Sequence, residues 1–226
     1  NPNSETLLMV GAGGQAAYQI MAQICVLPKL KQVLIYDPMS SENAEKFAQE
    51  LSQKLTTLFA DSIQTNQPTV AAKIKERIKQ IKFIAASDII KATKDAQVIV
   101  TATPSTKPLI KAQWVQPGTH INAIGADMEG KQELDTQLYQ NARPFVDDLD
   151  QAGEVGETQN PIKEKVIKKA DVTEIGDVIT KKAVGRQDTK EITIFDSTGI
   201  ALQDLEAANL VLQRAKQFNA GVVVDL

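Results

Sequence analysis

The chain has 226 residues, 42% hydrophobic and 23% charged, which suffices for one substantial α/β core and excludes a disordered segment or a small stapled module. Its 25 basic and 28 acidic side chains give a net charge of −3, which excludes a general attraction to nucleic acid or an anionic membrane. A single cysteine, Cys25, excludes an intrachain disulfide and, set in an apolar helical stretch, is expected to be a buried thiol in a reducing compartment.

The elements alternate from the start. Residues 6–10 read as a strand, 14–26 as a helix that stops before Pro28, and 32–37 as a second strand that stops at Pro38. Ser40 or Ser41 can cap the next helix, whose Ala44, Phe47, Ala48 and Leu51 form one apolar side. Residues 55–80 are polar and weakly periodic, with a turn at 64–68 between two helical pieces. Further strands are predicted at 81–86, 96–102, 120–124, 144–146 and 191–195, with Ser87 capping a short helix. A long helix over 201–217 and a short strand over 221–226 complete the chain. Short apolar runs alternating with helices predict a doubly wound, mostly parallel sheet of the Rossmann type. The N-terminal Asn1-Pro2-Asn3-Ser4 carries no signal-peptide pattern, and no apolar run approaches the roughly 18 residues of a membrane span, so a cytoplasmic location and no membrane partner are expected. The core strand begins so early that upstream sequence is expected to belong to the parent protein.

The segment Gly11-Ala12-Gly13-Gly14-Gln15-Ala16 is a GxGxxA turn between a predicted strand and a predicted helix. Gly11 permits the tight turn, Gly13 lets a pyrophosphate approach the backbone, Ala16 permits close packing, and the helix start at Gly14 and Gln15 offers N–H groups to phosphates. The same turn can also do no more than join strand to helix. Asp37, 24 residues after Gly13, can accept hydrogen bonds from ribose hydroxyls and would repel a 2′-phosphate, which points to NAD over NADP. The alternative is an exposed turn aspartate before Pro38.

Ligands of an open parallel sheet lie beyond the carboxyl ends of its strands. Three such ends stand out: Thr101-Ala102-Thr103 along a cofactor, Ile124-Gly125-Ala126-Asp127 toward the nicotinamide, and Asp196-Ser197-Thr198-Gly199 on the far side. Asp127 is the candidate proton carrier, since a partly desolvated aspartate can move a proton beside a hydride-accepting carbon; otherwise it caps a helix after Gly130. Lys131 can pair with a phosphate or with Asp127, or stand exposed. His120, the single histidine, is read as packed or exposed rather than catalytic. No His or Cys spacing suggests a zinc site. Asp147, Asp148, Glu154 and Glu157 are dense enough for an ion site, though a solvated acidic loop is the commoner case.

Taken together, Gly11 to Ala16, Ile124-Gly125-Ala126-Asp127, Gly130-Lys131-Gln132-Glu133-Leu134-Asp135 and Phe195-Asp196-Ser197-Thr198-Gly199 resemble, in order and spacing, the ornithine cyclodeaminase/mu-crystallin family. Val146-Asp147-Asp148 with Gln151, Gly156-Glu157 and Gly185-Arg186 extend the resemblance over nearly the whole chain, most closely to the archaeal alanine dehydrogenase branch. The resemblance implies an NAD(P)-binding domain over 1–200, a homodimer, and hydride exchange between the nicotinamide and the α-carbon of a small amino acid or imine. It implies Asp127 as the acid/base, with cofactor contacts from the glycine loop, Asp37, Thr101, Thr103, Lys131 and Ser197. Residues 201–226 would then return to a substrate and dimerisation domain largely missing from this chain. That family's basic clamp for the substrate carboxylate comes from a segment ahead of the first strand, and nothing equivalent precedes Thr6; the stretch 55–80 is also longer than usual. A cyclodeaminase that regenerates its NAD within each turnover, or a dinucleotide-binding protein without turnover, are the alternative functions.

Overall fold

The computed structural model describes residues 1–222 and 224. Strand β1 (Thr6–Val10) is buried along its whole length, as a continuous apolar run at the centre of a parallel sheet must be. Helix α1 (Ala16–Val26) buries Ala16, Ala17, Ile20, Met21 and Ile24 on one face, and β2 (Gln32–Tyr36) returns alongside β1. Helix α2 (Ser41–Leu55) begins at Ser40, whose hydroxyl accepts from Asn43 N at 3.1 Å. It runs on into a π-helical stretch, Thr56–Asp61, before a turn and α3 (Pro68–Lys79), with proline at its first position where no N–H is missed. Strand β3 (Lys82–Ala85) follows, then α4 (Ile89–Asp95). Asp88, not Ser87, caps α4, accepting from Ile90 N and Lys91 N.

The second half contains β4 (Val98–Thr101), β5 (Thr106–Ile110), β6 (His120–Ala123), β7 (Gln132–Leu134) and β8 (Ala142–Val146). Helices α5 (Leu149–Val155) and α6 (Gln159–Lys163), strand β9 (Thr173–Glu174), helix α7 (Ile175–Ile179), strand β10 (Ile192–Asp196) and helix α8 (Ala201–Phe218) complete it. One eight-stranded sheet runs β3-β2-β1-β4-β6-β10-β8-β9, every neighbouring pair parallel, and β5 pairs with β7 in a separate two-stranded sheet. The fold is thus the doubly wound α/β sheet that the alternation predicts, with its switch point between β1 and β4.

Alternate residues of β1 feed two cores. Leu7 and Met9 join Val33, Ile35, Val98 and Val100 against α1, α2 and α3. Leu8 and Val10 join Ile99, Ile121, Ala123 and Ile194 against Ala92, Leu134, Leu138 and Tyr139. Each such aliphatic side chain contributes about 1.5–3 kcal/mol by burial. Three strands are absent from the sequence reading: β5, β7 and β9, each paired with residues distant in the chain. The segment after Gly130, which the alternative reading of Asp127 as a cap would make a helix, is β7. No residue of α8 is buried, and Asn219, in the left-handed region at φ 50°, ends it. The strand expected over 221–226 includes 223, 225 and 226, which lie outside the described residues; Gly221 and Val222 are not in a strand. Among the described residues no helix is long and apolar enough to cross a membrane.

Candidate functional site

The glycine turn sits at the carboxyl end of β1, in contact with the strands on either side. Gly11 N donates to Tyr36 O at 2.7 Å, and Ala102 N donates to Val10 O at 3.0 Å. Gly11 has φ +102°, and a Cβ there would stand 2.6 Å from the Ala102 carbonyl oxygen, so both its dihedral and its surroundings demand glycine. Gly13 and Gly14 differ: a Cβ on either would meet nothing within 4 Å. The backbone there faces open space. Helix α1 starts at Ala16 without a side-chain cap, and the N–H groups of Gly13, Gly14 and Gln15 have no partner among the described residues. An uncapped helix start behind an unobstructed glycine backbone fits the pyrophosphate of a dinucleotide.

Asp37, half-buried at the end of β2, is held by its own loop: Oδ1 accepts from Met39 N at 2.9 Å and Oδ2 from Asn43 Nδ2. The residue is therefore both a turn aspartate and a fixed carboxylate one strand away from the glycine turn. Each oxygen retains a lone pair for a ribose hydroxyl.

At the ends of β4 and β6 the candidate residues divide. Thr101 and Thr103 are buried, and the Thr103 hydroxyl is directed inward, so neither side chain is available to a ligand; these positions and Ala102 offer backbone alone. Ile124 N donates to Thr101 O at 2.9 Å, which ties the two strand ends together. Gly125 has no room for a side chain, since a Cβ would stand 2.3 Å from Thr103 O and 2.6 Å from a Glu133 carboxylate oxygen. Asp127 is exposed, with its side chain 53% accessible, and its carboxylate pairs with Lys131 Nζ. The partial desolvation expected for Asp127 is not found in this chain. Of the three readings of Lys131, the ion pair with Asp127 is the one observed.

Beneath these loops lies a set of buried and half-buried carboxylates. Glu133, on β7 and fully buried, accepts from Thr103 N and Thr103 Oγ1, both at 2.6 Å, and from Gly125 N at 3.0 Å. Burial pushes its carboxyl up, while these donors and the nearby Thr101 hydroxyl oppose the shift. Glu157 in turn accepts from Glu133 N and, at 3.1 Å, from Leu134 N; burial first, then the Glu133 charge, raise it well above the usual carboxylate range. Asp196, at the end of β10, accepts from Thr158 N at 2.8 Å and Thr158 Oγ1 at 2.6 Å and is pushed up to about 6 by burial. Asp147, at the end of β8, accepts from Ser197 Oγ, Thr198 Oγ1 and Gly199 N and so holds the loop after β10. Ser197 thus already has a partner. Asp148 caps α5 through Gln151 N. Of the acidic stretch, Asp147 and Asp148 hold neighbouring donors and Glu157 is buried, while Glu154 is exposed; among the described residues no group of His, Cys, Asp or Glu is arranged to hold a metal.

His120 bonds Thr193 Oγ1 at 2.8 Å and Asn122 Oδ1 at 3.1 Å at the amino ends of β6 and β10, away from the glycine turn, and burial lowers it to about 4. It is a packed histidine, as expected. Cys25, by contrast, is exposed on α1 rather than buried. Glu133 is the residue to which sequence reasoning gave no role, although it stands in the Gly130-to-Asp135 stretch that carries the family resemblance.

The ornithine cyclodeaminase/mu-crystallin family profile matches residues 59–219. The alanine dehydrogenase of Archaeoglobus fulgidus is 51% identical over 125 residues, covering 55% of this chain and 39% of that protein. The iminosuccinate reductase of Paracoccus denitrificans is 31% identical over 224 residues, covering 99% of this chain and 61% of that protein. Among solved structures, an archaeal alanine dehydrogenase dimer with bound NAD superposes with a TM-score of 0.82 at 36% identity, over all of this chain and 62% of that one. The Thermococcus litoralis Δ1-pyrroline-2-carboxylate reductase in complex with NADH and L-proline gives 0.83 at 28% identity, over 99% of this chain and 62% of that one. The chain therefore spans about two fifths to three fifths of the length of these relatives. With the profile, the parallel sheet and the glycine turn in agreement, the chain belongs to the ornithine cyclodeaminase/mu-crystallin family.

Proposed function

We propose that this chain binds NAD along the carboxyl edge of its sheet and forms the cofactor-binding part of an oxidoreductase acting on a small amino acid or imine, as a homodimer and in the cytoplasm. One observation carries the reading: the backbone at Gly13 and Gly14 is unobstructed, with free N–H groups at an uncapped helix start, one strand from the fixed carboxylate of Asp37. The N–H groups hold the phosphates, and Asp37 accepts from the adenosine ribose and disfavours a 2′-phosphate. When bound, the nicotinamide supplies the hydride exchange. Ala102, Ile124, Gly125 and the loop at Ser197 form the backbone wall beyond the switch point. Asp127 gives and takes the proton at the substrate nitrogen or at water, and Lys131, paired with its carboxylate, holds its orientation until substrate arrives. The solved relatives support the cofactor, since three of them hold NAD or NADH, and they support the substrate class through iminosuccinate reductase and a proline-bound reductase. The structure of a lysine cyclodeaminase, 26% identical over the whole chain, keeps a second reading in play, in which the hydride returns within the turnover and no net NADH forms.

Calorimetric titration with NAD and NADP tests the reading. NAD is expected to bind more tightly than NADP, and Asp37→Ala to weaken NAD by about tenfold, or about 1.4 kcal/mol. Equal binding of both cofactors with no effect of Asp37→Ala would remove the role of Asp37, and no binding of either would remove the cofactor reading.

A further inference from the structure

The buried Glu133 is not accounted for by the cofactor cradle or by proton transfer. It lies on β7, outside the main sheet, yet all three donors to its carboxylate come from the ends of main-sheet strands: Thr103 N and Oγ1 after β4, and Gly125 N after β6. β4 and β6 are neighbours in register, Thr101 opposite Ala123, and after the bond from Ile124 N to Thr101 O no further backbone bond joins the two segments among the described residues. The carboxylate bridges them where strand pairing ends. Asp127 follows Gly125 by two residues, so whatever fixes Gly125 fixes the base of the Asp127 loop. Glu133 is itself held: Glu157 accepts from the backbone N–H of Glu133 and of Leu134, and Gln132 N donates to Ser105 O at 2.9 Å. No basic side chain forms an ion pair with Glu133 among the described residues, so these site-loop donors are what compensate its burial. A core needing only to be filled would be better served by an apolar residue.

Resting on the function proposed above, we propose that Glu133 is a positioning residue: its carboxylate sets the spacing between the Thr103 and Gly125 loops and thereby the placement of Asp127 against the reacting carbon. A carboxylate can accept from both loops at once. Glutamine cannot, because its NH2 group must oppose either the Thr103 N–H or the Gly125 N–H. Loss of the bridge displaces the Asp127 loop, and displacement on the order of 1 Å costs roughly 10²-fold in rate.

The test compares unsubstituted protein with Glu133→Gln by two independent readouts. The first is the amide spectrum of the 15N-labelled full chain. The Thr103 and Gly125 resonances should shift together in the variant while those of β1 and α1 stay in place, and in the unsubstituted chain they should titrate together. The second is turnover with NAD and L-alanine in the protein as it occurs in the cell. There kcat should fall about 30- to 100-fold, KM for NAD should change less than about threefold, and Glu133→Asp should recover part of the loss. Unmoved amide signals, kcat within twofold of the unsubstituted protein, or a kcat loss matched by the loss of folded protein would each overturn the proposal. Should Glu133→Gln fail to fold, Thr103→Val removes one donor alone, and an unchanged kcat there would overturn it equally. If the unsubstituted protein neither binds NAD nor turns over, the functional reading fails, whereas the amide spectrum still decides whether Glu133 bridges the two loops.

Discussion

Two glycines two residues apart in one turn have different reasons to be glycine. At Gly11 an added methyl would meet the Ala102 carbonyl at 2.6 Å from a backbone already at φ +102°, so Gly11→Ala should destabilise the fold by about 2–3 kcal/mol. At Gly13 the same methyl meets nothing within 4 Å, so Gly13→Ala should leave stability within about 0.5 kcal/mol. It would nevertheless stand where the phosphates approach, and NAD should bind it at least about tenfold more weakly. Chemical denaturation and calorimetry on the two variants measure both quantities; equal stability losses would mean that Gly13 serves the turn and not the ligand. The sequence reading gives Gly11 to the turn and Gly13 to a ligand, and the structure adds the reason: a blocked Cβ position at Gly11 and open space at Gly13. The acids divide. Asp37 could be picked out as a candidate from its distance to the glycine motif and Asp127 from its place after a strand end, whereas Glu133 could not, because its donors lie 30 and 8 residues away in chain and converge only when β7 forms.

Elements were readable in proportion to how local their causes are. β1 declares itself by five consecutive residues suited to a fully buried strand, and α2 by a serine cap and apolar residues at three-and-four spacing. β7 has three residues, and what makes it a strand is its pairing with β5 and the two N–H groups that Glu157 takes up. Propensity over so short a span says nothing. α8 is the opposite case: its pattern of leucines reads clearly as a helix, yet Leu205 and Val211 are 64% and 68% exposed, so nothing in the described structure rewards the pattern. An 18-residue helix without packing is near the limit of what isolated helices sustain. Amides of α8 should therefore exchange with solvent at least about 100-fold faster than those of β1 and β4 in the isolated chain at low concentration. Equal protection would show that α8 is covered in solution by another copy of the chain.

For the molecule as a whole, alternation was enough to give the doubly wound, mostly parallel sheet, whereas its strand order and switch point came only with the structure. The position of the last strand is part of that order. β10 lies between β6 and β8, pairing Ile194 with Ile121 on one side and with Pro144 on the other. The sheet is thus not laid down in chain order. During synthesis β8 emerges before either of its final neighbours in that gap is complete, and it must wait, with an unpaired edge and an apolar face, until nearly fifty more residues have followed. Closure of the gap is a late, long-range event, the type that folds slowly. Refolding from denaturant should show a slow phase in which protection of β8 and β10 appears together, after β1, β2 and β4, with yield falling as chain concentration rises; simultaneous protection of all five strands would contradict this order. The strand whose Asp196 anchors the far side of the site is also the one that shuts the sheet, so the edge that would receive the cofactor is complete only when folding is.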